Sequence, residues 1–516
     1  MKKTLLTILL ALWIPIVTSL LPAAVGTGPD TGSFSDVPDT SPPENGIPVV
    51  SITLDPDEFQ AVLESPDHSY EAAGASLVIN VPASFHSEFG ALDPLLMDRA
   101  LPLEYIRGRG NSTWLEEKKP FKIKLQQAAD LFGMGSSKHW VLLANAKDET
   151  LLHNRLAFYI GRRLGLAFTP RFVPVDLVVN GEYLGSYLLG HSVRVEETRV
   201  DIRKLKASDR EESLLSGGYL LALEPKPSEA AINCITTQRG VRFLIDTPDL
   251  SEYGPENEAA AAAQRAWIAD YLQQVEDAVF AEDHTSADGV PLRDLMDLES
   301  AAKYWWVQVC SLNSDGLQTA STYLYKDRDG KLCFGPLWDF DRAFRLTKKD
   351  GDLNVCSMAW LDHLRATDPE YQALLRKTWE ELDGIMEEIL CPGGALERMY
   401  EEIRASWQSD QKRWPGNNWT GRDPAWIVEQ LANDLEQRRS EINRNLDWQL
   451  TRVPEEKAEE STDPASRPET VPETGTDGTE QPATPGKPGI LLLSLLILFL
   501  LIGAAAVLWR HRNRRT

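Results

Sequence analysis

Two aspartates separated by one residue, Asp339 and Asp341, close the run Gly335-Pro-Leu-Trp-Asp-Phe-Asp341, and a third, Asp315, precedes them. Carboxylates delivered together by one short hairpin supply the hard oxygen ligands that Mg²⁺ or Mn²⁺ takes when it carries a nucleotide. Residues 321–326 read as a strand, 327–330 (Asp-Arg-Asp-Gly) as a turn and 331–335 as the return strand, so Asp315 enters from the other side of the same hairpin. If the return strand stays extended through residue 341, its two-residue period turns Asp339 and Asp341 to one face. A solvated turn would account for an isolated Asp-x-Asp. Here Trp338 and Phe340 alternate with the acids, and carboxylates set against an apolar wall need an ion or a positive partner.

Positive partners stand earlier in the chain. Arg107-Gly-Arg-Gly-Asn-Ser-Thr113 reads as a loop whose glycines let the backbone approach a ligand closely. The stretch Lys118-Lys-Pro-Phe-Lys-Ile-Lys-Leu125 reads as a strand with Lys122 and Lys124 on one face and Phe121, Ile123 and Leu125 on the other. Together they form a candidate phosphate grip. A lysine-protected strand edge is the competing account of the strand alone, and nothing in the spacing chooses between Lys122 and Lys124.

Strands are expected at 47–54, 76–81, 173–179, 182–189, 217–224 and 240–245, with Asn180-Gly181 as a hairpin turn. Helices are expected at 148–165, 257–280, 297–312, 370–389, 394–407 and 423–448. The fold class is therefore α+β, with a β-rich first half, a helical second half and no internal repeat. At roughly 400 residues the body is large enough for one big domain or two lobes.

The flanks read as export and anchoring. Residues 1–25 have the Lys2-Lys3 start, apolar run and small residues of a secretory signal of bacterial type, and 26–45 is a linker. Residues 454–488 are a Pro/Thr/Glu-rich stalk with too little apolar content to fold. Residues 489–509 are apolar for about the length needed to span a bilayer, and the tail 510–516 is basic. The expected arrangement is a single-pass cell-membrane protein with its body outside and its tail in the cytoplasm. A formal net charge of −24 argues against nucleic acid as a partner. The five cysteines (234, 310, 333, 356 and 391) lack zinc-type spacing, and one disulfide outside the cell stays open.

These residues resemble the CotH kinase family, related to atypical protein kinases. The resemblance rests on six motifs in order: Arg107-Gly-Arg-Gly-Asn-Ser112, Lys118 to Leu125, Trp140-Val-Leu-Leu-Ala-Asn145, Asn180-Gly-Glu-Tyr-Leu-Gly185, Gly217-Gly-Tyr-Leu-Leu221 and Pro336-Leu-Trp-Asp-Phe-Asp341. It spans about residues 47–448, so the kinase-like domain is placed at 46–453. The resemblance implies a two-lobed kinase-like fold and ATP with Mg²⁺ or Mn²⁺ as cofactors. It implies that Asp315 orients or deprotonates an acceptor hydroxyl and that Asp339 binds metal, with Asp341 as a second ligand. Lys124 would neutralise phosphate, flanked by Lys122 and Lys119 and by Arg107 and Arg109.

Two departures qualify this. Ala320 stands where a metal-binding Asn is expected five residues beyond the catalytic Asp, leaving Ser321 as the candidate ligand, and Gly190-His191 stands where the family has a glutamate. Three function classes follow: a Ser/Thr protein kinase acting on exported or surface proteins, a surface adhesion or assembly protein that kept the fold without turnover, and a metal-dependent nucleotide-sugar transferase. The last lacks a dinucleotide-type glycine loop.

Overall fold

A computed structural model of the chain describes residues 42–43, 46–224, 226, 229–313, 315–317, 321–344, 358–417 and 420–451. The signal, stalk, membrane span and tail expected at 1–25, 454–488, 489–509 and 510–516 lie outside the described residues, as does the 26–45 linker apart from residues 42 and 43. Among the described residues no helix is long and apolar enough to cross a membrane.

Seven strands fill the first half: β1 Val49–Thr53, β2 Ser76–Asn80, β3 Leu101–Gly108, β4 Phe121–Asp130, β5 Ser136–Leu143, β6 Phe172–Val179 and β7 Glu182–His191. They close into a barrel in the order β1-β2-β3-β4-β5-β7-β6, sealed by the parallel pairing of β1 with β6. Alternation drives the closure, because Val50, Ile52, Ile106, Ile123, Trp140 and Val175 all turn inward and are fully buried. Between β5 and β6 the helix α2, after α1 (Pro56–Glu64), runs over His153–Arg163.

The rest of the described chain adds a five-stranded sheet and a helical layer. The sheet has the order β12-β11-β8-β10-β9, from β8 Tyr219–Leu223, β9 Cys234–Thr236, β10 Arg242–Thr247, β11 Tyr323–Lys326 and β12 Leu332–Phe334. The helices are α3 Glu258–Phe280, α4 Leu298–Cys310, α5 Ala359–Thr367, α6 Pro369–Leu390, α7 Ala395–Arg413 and α8 Pro424–Thr451. Trp305, Trp306, Trp360 and Trp379 are buried where these helices meet. The architecture is thus mixed α+β with the β-rich and helical halves in the expected order, but the first half closes into a seven-stranded barrel where the resemblance implied a kinase-type lobe, because β1 pairs with β6 and leaves no open sheet.

Three local expectations change. The segment 107–113 is not all loop, since Arg107 and Gly108 end β3 and Ser112–Leu115 is a short 3-10 turn. The helix expected from residue 148 begins at His153, because the Asp148 carboxylate accepts from the Thr150 amide (2.9 Å), the Thr150 hydroxyl (2.7 Å) and the His153 amide (2.7 Å) and so builds a turn first. The return strand stops at Phe334, and residues 335–340 are not strand.

One helix ties the barrel to the helical layer through a buried polar network. Lys118 Nζ lies 2.5 Å from Asp410 Oδ1, with side-chain exposures of 0% and 1%. Ser186 closes the group, its carbonyl accepting from Lys118 (2.6 Å) and its amide donating to Asp410 (2.8 Å). Gly185, at φ +107°, makes room, for a Cβ there would stand 2.2 Å from Asp410 Oδ1. Asp176 on β6 accepts from the Tyr183 and Ser406 hydroxyls, both at 2.7 Å. Burial pushes the Lys118 ammonium down and the Asp410 carboxyl up, each opposed by the other's charge. Lys118→Met, which strands Asp410, should therefore cost about 3–5 kcal/mol by urea unfolding, and Lys118→Met with Asp410→Leu should recover most of it, because an apolar pair carries no desolvation penalty. Equal unfolding midpoints for the parent and Lys118→Met would refute this.

Candidate functional site

The end of the barrel facing the second sheet is a cleft of about 360 Å³. β3 and β4 supply its cationic wall. Arg107 and Lys122 are cross-strand partners, so both side chains leave the sheet on the same face. Arg109 follows β3, and its guanidinium lies 5.3 Å from the centre of the Trp338 ring. Gly108 and Gly110, which line the cleft with them, are needed for space, because a Cβ at 108 would stand 2.4 Å from Trp114 and one at 110 would stand 2.2 Å from Thr113 Oγ1.

Asp339, Asp341 and Ser321 form the opposing wall. The two carboxyls come together by a different geometry from the extended strand expected. Asp339 has φ +64°, a left-handed conformation, and its carboxylate stands close enough to that of Asp341 to hold the Asp341 proton on. The Ser321 hydroxyl donates to Asp339 Oδ2 at 2.9 Å. Trp338 and Phe340 are buried, as their alternation with the acids implied.

Electrostatics follow from this crowding. Burial, then the neighbouring Asp339 carboxylate, raises Asp341 to about 7. Arg109 is lowered by burial and held up in turn by Asp339, Tyr323 and Asp341. Lys122 falls to about 8 through burial and the charges of Arg107, Arg194 and Arg109, against which Asp246 acts. Asp246, at the end of β10, touches solvent, but protein crowds its remaining sides and lifts its carboxyl to about 6.

Among the described residues no group of three or more His, Cys, Asp or Glu side chains is gathered as a metal cage. Two carboxylates and a hydroxyl do fit Mg²⁺ or Mn²⁺ bound together with a nucleotide. Such an ion commonly takes one or two protein carboxylates and completes its octahedron with phosphate oxygens and water. Burial beside the Asp339 carboxylate also leaves Asp341 short of a counter-charge, which a divalent ion would supply.

The other expected residues lie elsewhere. Asp315 is not among the residues lining the cleft, and its carboxylate pairs with Arg342 at 3.5 Å, one residue past Asp341. Lys124 shares its strand face with Lys122 but lies farther from the cleft, paired with Glu104 at 2.6 Å. Lys119 Nζ donates to the Trp114 carbonyl at 2.6 Å and holds the loop. Ala320 lies outside the described residues. At Gly190 a Cβ would stand 2.2 Å from the Arg171 carbonyl, and the His191 ring turns inward to the Met134 carbonyl (2.9 Å), where burial lowers it to about 2. Position 190 thus has no room for a glutamate.

Sequence reasoning passed over Asn145, Asn154 and Lys226, which also line the cleft. Asn145 closes one of the six motifs and has φ +50°, so the motif held a signal that periodicity did not decode. Lys226 Nζ donates to Asn111 Oδ1 at 2.7 Å across the rim. Among the described residues the four cysteines 234, 310, 333 and 391 are free thiols.

A family model described as CotH kinase protein matches residues 106–448. No curated protein matches the chain.

Lys122 generates a pH test. The folded protein releases this proton above about pH 8 and the unfolded chain only near 10.5, so the lysine's contribution to stability rises with pH across that window while its pull on an anion falls. ATP affinity at fixed Mg²⁺ should begin to fall between pH 7 and 8, by about twofold, and drop by roughly tenfold or more by pH 9.5. Lys122→Arg, which keeps its charge, should flatten the profile. A parent profile as flat as the arginine variant's would remove Lys122 from the site.

Proposed function

The chain belongs to the CotH kinase protein family, and from that premise we propose that it is an atypical kinase that transfers the γ-phosphoryl group of ATP to serine or threonine of exported or surface proteins. The proposal includes the membrane anchor, with residues 46–453 as the extracytoplasmic kinase-like domain. One observation carries it: Asp339, Asp341 and Ser321 stand across a single cleft from Arg107, Arg109 and Lys122.

Phosphoryl transfer asks little covalent chemistry of a protein, so catalysis is positioning and charge compensation. Asp339 and Asp341, with Ser321, would hold Mg²⁺ or Mn²⁺, which when bound neutralises and orients the phosphates. Lys122, Arg107 and Arg109 hold phosphate oxygens from the opposite wall. In this reading Lys122 takes the role the resemblance gave Lys124, because Lys122 lines the cleft and Lys124 is committed to Glu104. Asp315 orients the acceptor hydroxyl at the rim, kept beside the loop by Arg342.

A second reading, a surface adhesion or assembly protein without turnover, draws on the missing space for a glutamate at position 190 and on the seat of Asp315 outside the cleft lining.

The full chain incubated with Mn²⁺ or Mg²⁺ and labelled ATP should yield phosphoserine or phosphothreonine on itself or on a casein-like acceptor. Asp339→Ala should remove the metal-dependent nucleotide thermal shift and lower transfer by about a hundredfold or more, whereas Asp315→Ala keeps the shift and loses transfer. Absence of both transfer and thermal shift in the parent favours the adhesion reading, and transfer from a nucleotide sugar instead would point to the third class.

A further inference from the structure

The peptide unit joining Asp339 to Phe340 is held at both ends by side-chain amides from two helical regions. Its N–H, on Phe340, donates to Asn154 Oδ1 at 2.9 Å. Its carbonyl, on Asp339, accepts from Asn313 Nδ2 at 3.4 Å. Asn154 belongs to α2 and Asn313 follows α4, and both are buried, at 3% and 2% exposure. Asn154 is itself fixed, because its amide donates to Asn145 Oδ1 (3.1 Å) and Asn145 Nδ2 donates to the Leu151 carbonyl (3.2 Å).

The same face of α2 seats the rest of the loop. Positions 154, 158 and 161 recur at helical spacing. The Phe158 ring meets Phe340 edge-on at 6.1 Å. Gly161 admits Leu337, whose Cδ1 would stand 2.3 Å from a Cβ there. A left-handed aspartate is disfavoured relative to ordinary backbone and persists only where its surroundings hold it. Here that hold falls on the peptide whose orientation sets the direction of both carboxyls.

We infer that Asn154, backed by Asn145 and opposed by Asn313, is a positioning residue that clamps the 339–340 peptide and so preorganises the Asp339/Asp341 pair for a divalent cation. The role of the pair rests on the proposed function, while the clamp itself is a separate physical claim. Asn154 touches no substrate in this account and acts through the backbone.

The test uses the full chain and two readouts other than turnover. Hydrogen exchange of the segment 335–344 reads the clamp, and binding of Mn²⁺ alone, followed by loss of the free-ion electron paramagnetic resonance signal, reads its consequence. Asn154→Ala should speed exchange of that segment by about tenfold while the barrel strands stay protected, and should weaken Mn²⁺ binding by about tenfold. Asn154→Asp keeps an acceptor for the Phe340 N–H but cannot donate to Asn145 Oδ1, so exchange of 335–344 should fall between the parent and Asn154→Ala, which separates the clamp from a general loss of packing. Asn313→Ala, removing the longer bond, should have the smaller effect. Exchange of 335–344 in Asn154→Ala at the parent rate overturns the clamp. Parent-like Mn²⁺ affinity in that variant, with faster exchange, overturns preorganisation. A parent that takes no Mn²⁺ overturns the metal reading, and the exchange comparison still decides the clamp.

Discussion

Two carboxyl groups crowded together against a tryptophan and a phenylalanine cannot both carry full charge without positive compensation, and the surrounding structure is organised around that demand. Arg109 supplies part of it from 5.3 Å above the Trp338 ring, at the cost of its own desolvation. Lys122 and Arg107 add charge from adjacent strands, where burial first and the neighbouring guanidiniums second drive Lys122 down to about 8. A wall of cations that destabilise one another, facing acids that do the same, is an arrangement that a metal-bound polyanion relieves on both sides at once. In the proposed function that mutual relief is what a metal nucleotide would supply and an uncharged ligand would not.

The barrel makes such opposition possible. A closed sheet has no edge to slip, so the register that sets Arg107 opposite Lys122 is held rigidly, and the strand ends present both to the same space. The acids arrive from another part of the chain, on a loop laid across α2. What keeps the barrel and the helical layer in one piece on that side is the seat of α7 on β7, where Lys118, Asp410 and Ser186 bond one another out of solvent and Asp176 accepts from Tyr183 and Ser406.

Much of the fold was legible because its elements are periodic. The hairpin at Asn180-Gly181, the hairpin carrying Tyr323–Lys326 and Leu332–Phe334, and the long helices of the second half all follow from alternation, turn residues and helical spacing. Barrel closure was not legible, because the pairing of β1 with β6 joins strands more than a hundred residues apart and leaves no local mark. The start of α2 was misjudged because Asp148 binds the backbone amides of a turn, a competition that side-chain periodicity does not register.

From residue types alone came the acid pair, its apolar flanks and a set of basic residues large enough to include the cleft's cationic wall. Local order in the chain determines which chemical groups exist and, through strand period, which of them share a face. Tertiary structure decided the rest: that Asp339 reaches Asp341 through a left-handed reversal and not an extended strand, that Lys122 meets the cleft while Lys124 turns to Glu104, and that Asp315 pairs with Arg342 at the edge. Those outcomes depend on contacts between segments far apart in the chain, where the hydrogen bonds of Asn154 and the space left by Gly161 and Gly190 choose among backbone paths that local propensity leaves nearly equal in energy.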